Sequence, residues 1–242
     1  MAPLHNPSQI LQIGTATGIW LRDMAKEWPH AKVVGCCNKN FAIYKHLDHN
    51  SLPANCRVDS VDISQGLPYR SRRFDYVYIR DDLFTFSVDV WIKVLSESYR
   101  VLRPGGIIEL CGRPFIPHRA GPVMAYITKH LGQILWKEHG IHTQAARHLD
   151  NALKLLGFVD VHGREIEIPM GAWGGLHGEF MKRAGSTLLA TVGKSVAGSH
   201  GDAHWNAEEW KAQTQKAYSE VDEYCTCSSV HCVWAKKLVA TV

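Results

Sequence analysis

Residues 9 to 20 read Gln-Ile-Leu-Gln-Ile-Gly-Thr-Ala-Thr-Gly-Ile-Trp, and no other segment restricts the fold as tightly. A short apolar run, Ile10, Leu11 and Ile13, meets a Gly-x-Ala-x-Gly turn at Gly14, Ala16 and Gly18. A helix-like stretch, Ile19 to Trp28, follows at once. A strand, a tight glycine turn and a helix start, in that order, let a nucleotide-like ligand approach bare backbone. Gly14 and Gly18 suit positive φ or close ligand contact, because neither presents a Cβ. Taken alone, such a turn serves equally well as plain structure.

The rest of the chain alternates strand-like and helix-like segments, which predicts an α/β fold with a mainly parallel sheet. Ile19, Trp20, Met24 and Trp28 recur at helical spacing, and Pro29 lies just beyond them. Ala31 to Cys37, Arg57 to Ile63 and Phe74 to Ile79 read as the second, third and fourth strands, the last rich in β-branched and aromatic residues. Asp89 to Leu102 reads as a helix stopped by Arg103-Pro-Gly-Gly106, with Ile107 to Cys111 as strand five. Ala145 to Leu156 is an amphipathic helix closed by Gly157. Phe158 to Ile168 and Val230 to Ala240 form a final pair of strands, and the mostly helical Trp173 to Thr226 reads as a lid or cap.

With 242 residues and 45% hydrophobic content, the chain can bury a large core as a single domain. The expected division is a core of 8–168 and 228–242 and a helical cap of 173–226. No apolar run approaches the roughly 20 residues of a membrane helix, so no membrane partner is expected. The N-terminus lacks a basic region followed by an apolar one, and the seven cysteines are odd in number and scattered. An intracellular protein, cytoplasmic or nuclear, is expected. A net charge of +4 is mild, and Tyr69-Arg-Ser-Arg-Arg73, the densest basic run, reads as a solvated turn. Nucleic acid is therefore not an expected partner.

Read together, these segments resemble a class I S-adenosylmethionine-dependent methyltransferase, and more narrowly the fungal methyltransferases of secondary metabolism and their regulatory relatives. The resemblance rests on Ile10 to Trp20, Gly66-Leu-Pro-Tyr69, Phe74 to Arg80, Val101-Leu-Arg-Pro-Gly-Gly106, Leu156-Gly-Phe158 and Ile168 to Trp173, which stand in the family's order across essentially the whole chain. It implies a Rossmann-like, seven-stranded sheet with its last strand antiparallel. S-adenosylmethionine would then be the cofactor and a small molecule the methyl acceptor, through oxygen or nitrogen. Gln12, Gly14, Ala16 and Gly18 would cradle the methionine part and ribose, and Cys37 and Asn38 would meet the ribose hydroxyls. Asp62 and Ile63 would border the adenine, and Arg80 and Asp81 would face the sulfonium and the acceptor.

Several positions depart from that pattern. Gln12 stands where the family places an acid, Ala16 replaces the middle glycine, and Cys36, Cys37 and Asn38 offer no ribose-binding carboxylate. A thiol is a poor hydrogen-bond acceptor beside a carboxylate. About eight residues precede strand one, where relatives carry a helical segment. These departures suggest a second reading, a catalytically degenerate methyltransferase-like subunit that binds a protein partner or a second copy of itself. For the enzyme reading, His118 after strand five and Asp81 or Asp82 after strand four are the general-base candidates. Cys225-x-Cys227 with His231 and Cys232 contains metal-ligand types at no standard zinc spacing, and no metal is expected. Asp23 reads as a solvated helix residue, and Trp173, Trp205 and Trp210 as cap packing or an aromatic pocket.

Overall fold

The computed structural model describes residues 2–15, 17–37, 51–80, 86–196 and 206–239, with side chains to 192 in the fourth stretch. Its strands are β1 (Gln9–Ile13), β2 (Lys32–Cys37), β3 (Cys56–Ser60), β4 (Phe74–Arg80), β5 (Leu102–Gly112), β6 (Phe158–Pro169) and β7 (Cys227–Lys237). They form one seven-stranded sheet in the order β3-β2-β1-β4-β5-β7-β6. The pairs β1–β2, β1–β4, β2–β3 and β4–β5 are parallel, and β7 runs antiparallel to both β5 and β6. The expected architecture, mostly parallel with the last strand reversed, is the one observed.

Parallel neighbours need long crossovers. Helix α1 (Ile19–Glu27) joins β1 to β2, α2 (Val88–Val101) lies between β4 and β5, and α4 (Leu149–Leu155) precedes β6. Because strand side chains alternate between faces, β1 feeds two cores. Leu11 and Ile13 pack with Val94 and Leu95 of α2 and Leu149 and Leu153 of α4. Ile10 packs on the other face with Leu21 and Met24 of α1 and with Tyr76 and Tyr78 of β4. The start of β1 is held by Asp75, whose Oδ2 accepts from Ser8 N at 2.6 Å, Ser8 Oγ at 2.8 Å and Gln9 N at 3.0 Å. Its Oδ1 lies 2.7 Å from Arg103 Nη1.

Two expectations change. Pro104 to Gly106 does not separate helix from strand, because β5 begins at Leu102 as soon as α2 ends. The pairing of β5 with β4 jumps from Phe74↔Leu102 to Tyr76↔Ile107, so the Pro-Gly-Gly stretch is a bulge within the strand. The second change is α3 (Pro122–His139), a helix in a region for which the sequence patterns gave no element. Smaller shifts occur as well: Ala145 to His148 is a 3-10 turn ahead of α4, and β7 begins at Cys227.

A third core lies beyond the carboxyl ends of the strands. Met124, Ile127 and Leu131 of α3 pack with Leu189 of α5 (Gly175–Val196) and Trp210, Ala217 and Tyr218 of α6 (Ala207–Ser219). Glu220, just past α6, accepts the Met124 N–H at 2.8 Å and so ties α6 to the first turn of α3. Among the described residues, no helix is long and apolar enough to cross a membrane.

Candidate functional site

The strand order reverses between β1 and β4, since the chain steps from β1 to β2 on one side and later to β4 on the other. Helices diverge at such a point and leave a crevice at the carboxyl ends of the strands. Register places Ile13 beside Ile79, so Gly14 and Arg80 stand next to one another at that edge. A cavity of about 300 Å³ lies there, lined among others by Gln12, Gly14, Thr15, Trp20, Asp23 and Arg80.

The turn that floors it forms as its glycines require. Gly14 and Gly18 have φ of 79° and 75°, values that side-chain-bearing residues rarely adopt. Gly14 N donates to Cys36 O at 2.9 Å and Gly18 N to Thr15 O at 2.8 Å. Gly18 caps α1 without a side chain, so no side-chain acceptor covers the first-turn N–H groups. Gln12 is 3% exposed, and its Nε2 donates to Gly14 O at 3.2 Å. Its Oε1 and the Thr15 hydroxyl are buried without a hydrogen-bond partner. Two acceptors held dry at the floor of a cavity need donors, and a ligand bearing N–H or O–H groups would supply them. Trp20 stacks on Tyr78 at 4.2 Å and walls the α1 side.

Of the other expected site residues, Asp62 and Ile63 follow β3 and Cys37 ends β2, and none of the three lines this cavity. Asp62 is exposed and caps a short turn, accepting Ser64 N at 3.1 Å. Ile63 turns inward to the core beneath the sheet and is 4% exposed. Cys37 ends β2 and is buried, with its carbonyl accepting Val61 N at 3.0 Å. Ala16, Asn38, Asp81, Asp82 and Trp205 lie outside the described residues. Asp23, read from sequence as a solvated position, is exposed on the rim of the cavity. Its spacing of four from Ile19, another lining residue, is the signal that could have placed it there.

His118 lies after β5 as expected, paired through its backbone with Cys227. Its Nε2 is 3.0 Å from Glu165 Oε1 and 2.9 Å from an Arg147 Nη2. His231 joins the same carboxylate oxygen at 3.2 Å. The cluster lines neither the glycine-turn cavity nor the second cavity described next. Arg119 donates to Cys227 Sγ at 2.7 Å, and among the described residues no three His, Cys, Asp or Glu side chains gather as metal ligands. Arg73 of the basic run lies over the Tyr69 and Phe74 rings, at 5.2 and 4.9 Å.

A second cavity, of about 510 Å³, opens where α3, α5 and α6 meet the segment leaving β5. Arg113, Phe115, Met124, Met170, Met181 and Tyr218 are among its lining residues. Arg113 is two residues beyond Cys111, which pairs with Arg80 of β4. The two cavities therefore open from neighbouring strand ends, and strands in a sheet lie about 4.8 Å apart. Trp210 serves as packing, 5% exposed with its indole N–H donated to Leu189 O at 3.0 Å.

Comparison with known proteins places these features. Residues 10–106 match the family model of the methyltransferase domain. A secondary metabolism regulator, laeA, of Coprinopsis cinerea is 30% identical over 100 residues, which is 41% of this chain and 23% of the relative. The methyltransferase pytC of Aspergillus terreus is 24% identical over 179 residues, covering 72% of this chain and 53% of the relative. The chain thus spans between about a quarter and about half of these relatives' lengths. Among solved structures, a Haemonchus contortus phosphoethanolamine N-methyltransferase bound to S-adenosylhomocysteine superposes with a TM-score of 0.59 at 14% identity. That superposition covers 98% of this chain and 50% of the other, and it speaks for the fold alone.

Proposed function

The chain carries a class I S-adenosylmethionine-dependent methyltransferase domain, and from that premise we propose that it transfers a methyl group to a small molecule held under the α3–α5–α6 cap. The observation that carries the reading is the pair of buried, unpartnered acceptors, Gln12 Oε1 and Thr15 Oγ1, at the floor of the switch-point cavity. They fit the cofactor's ammonium and hydroxyl donors. The uncapped first turn of α1 suits its carboxylate, since helix N-termini favour anions. Asp23 on the rim offers the negative charge that Gln12 lacks.

S-adenosylmethionine supplies a methyl group already activated on a sulfonium. The work left to the protein is to hold the acceptor in line and exclude water, and positioning of that kind accounts for much of the acceleration in two-substrate reactions. Gly14 and Gly18 admit the cofactor to the backbone, and Arg80 borders it beside the segment leaving β5. The acceptor enters from the second cavity, whose wall begins at Arg113. Among the described lining residues of the two cavities the one carboxylate is Asp23, on the rim of the switch-point cavity.

A second reading rests on Cys36 and Cys37. With thiols in place of a carboxylate at the end of β2, the ribose loses a charged hydrogen-bond partner. A domain weakened in this way serves as a binding subunit for a protein partner or a second copy. Calorimetric titration with S-adenosylmethionine and S-adenosylhomocysteine separates the two. Micromolar binding is expected, weakened about fivefold in Asp23→Asn, the size of a partly screened ion pair. Absence of binding up to millimolar ligand would sink the enzyme reading and favour the subunit.

A further inference from the structure

The cap cavity is walled chiefly by thioethers and aliphatic groups, with Arg113, Thr128, Tyr218 and Ser228 as its polar members among the described residues. The Thr128 hydroxyl, also on its wall, is spent on Met124 O at 2.7 Å. Tyr218 differs. Its ring is 8% exposed and packed in the cap core, yet among the described residues its hydroxyl has no hydrogen-bond partner. The tip of the phenol reaches α5 only because position 185 is glycine. A Cβ there would stand 2.5 Å from Tyr218 Oη and 3.3 Å from its Cζ. Two elements are thus shaped to hold a hydroxyl at the wall of an apolar chamber.

We propose that Tyr218 is a specificity-determining hydrogen-bond donor of this cavity, and that the cavity takes a largely apolar molecule bearing a hydroxyl or carbonyl oxygen. The size and lining carry the first part. A volume of about 510 Å³ bounded by Met124, Met170, Met181 and Phe115 suits a compact ring system or a branched hydrocarbon. A cationic group would lose its hydration against those thioethers and meet Arg113 of the lining with like charge. The Tyr218 hydroxyl carries the second part, since a buried phenol ordinarily finds a partner. Burial also pushes its ionisation up, so it remains a donor throughout the neutral range and does not act as a base. The inference deepens the reading of this cavity as the acceptor site, but it concerns binding and does not require methyl transfer.

The test uses a matched pair of probes, 2-naphthol and naphthalene, titrated into the whole chain with and without S-adenosylhomocysteine. Wild type should bind 2-naphthol about three- to tenfold more tightly than naphthalene, the factor one net hydrogen bond supplies. Tyr218→Phe should bind both probes alike, with naphthalene affinity unchanged. Gly185→Ala keeps the ring but displaces the hydroxyl, and it should erase the same preference. It serves as the second variant if removal of the hydroxyl disturbs folding. A naphthol preference that survives in both variants overturns the role of Tyr218. Failure of either probe to bind wild type overturns the apolar-ligand assignment. The S-adenosylhomocysteine titration reads the other cavity, so loss of cofactor binding with intact probe selectivity defeats the methyl-transfer reading and leaves this one standing.

Discussion

His118 Nε2 stands between two groups that ask opposite things of it. Arg147 can only donate, so its contact needs a bare nitrogen. The Glu165 carboxylate can only accept, so its contact needs an N–H. The ring satisfies one at a time, according to tautomer, and this ties it to Glu165 and away from both cavities. Sequence placed His118 correctly at a strand end, but its direction is set by Glu165 and Arg147, far away in the chain. Asp23 was legible as a helix residue and not as a rim residue, because periodicity gives a face without saying what lies above it. The cluster makes stability fall with acid. Burial lowers His231 below the ordinary imidazole value of 6.5, against the opposing charge of Glu165. The unfolded chain therefore takes up a proton first as pH falls below 6.5, and stability drops there. Burial alone would push Glu165 up, but its Ser229 hydrogen bond and the charges of His231, His118 and Arg147 hold it below the ordinary 4.5. Its stabilising effect is present above that value and is lost as pH falls through the lowered one. The melting temperature should therefore decline in two stages on acidification, and His231→Asn should flatten the first. A decline of equal size in that variant, followed by thermal melts across the range, would count against the assignment.

The inner strands β1, β2 and β4 were legible because each is a short, largely apolar run bounded by turn residues. What escaped was set by pairing. Pro104-Gly-Gly106 has the chemistry of a stop, yet Gly105 at φ 75° lets β5 bulge and continue, held by its register with β4. For α3 the signals exist, Pro122 at its first turn and Gly140 at φ 63° at its end. Its apolar residues face α5 and α6, so the pattern makes sense only once those helices are in place. Asp75 shows how one side chain sets a strand in register. Four contacts converge on it, from Ser8 N, Ser8 Oγ, Gln9 N and Arg103. Asp75→Ala leaves two backbone donors and the Ser8 hydroxyl without their acceptor, and removes the charge facing the half-exposed Arg103, at a site 7% exposed. The expected cost is about 2–4 kcal/mol, read as a lower urea midpoint with an unchanged slope. A shift below about 0.5 kcal/mol would mean that water replaces the carboxylate and that β1 needs no clamp.

At the scale of the molecule, the two cavities belong to different cores. The switch-point cavity is built by the glycine turn over the α1-side core, and all of its lining residues but Arg80 come from residues 12 to 23, which is why sequence located it. The cap cavity has walls from α3, α5, α6 and the strand ends, segments separated by more than a hundred positions, and no local pattern announces it. Side chains in separate cores with no shared partner act nearly independently. Trp210 offers the means to test that independence. It is buried in the cap with its indole N–H on Leu189 O, and Leu189 lines the cap cavity. Trp210→Ala should cost about 3–5 kcal/mol of cap stability through the lost volume and leave Leu189 O without its donor. Binding of 2-naphthol should fall sharply, while the affinity for S-adenosylhomocysteine stays within about twofold. Joint loss of both would show the cap and the glycine turn to be one cooperative unit. Loss of only the first makes the cap a module in which acceptor preference changes without disturbing the cofactor seat.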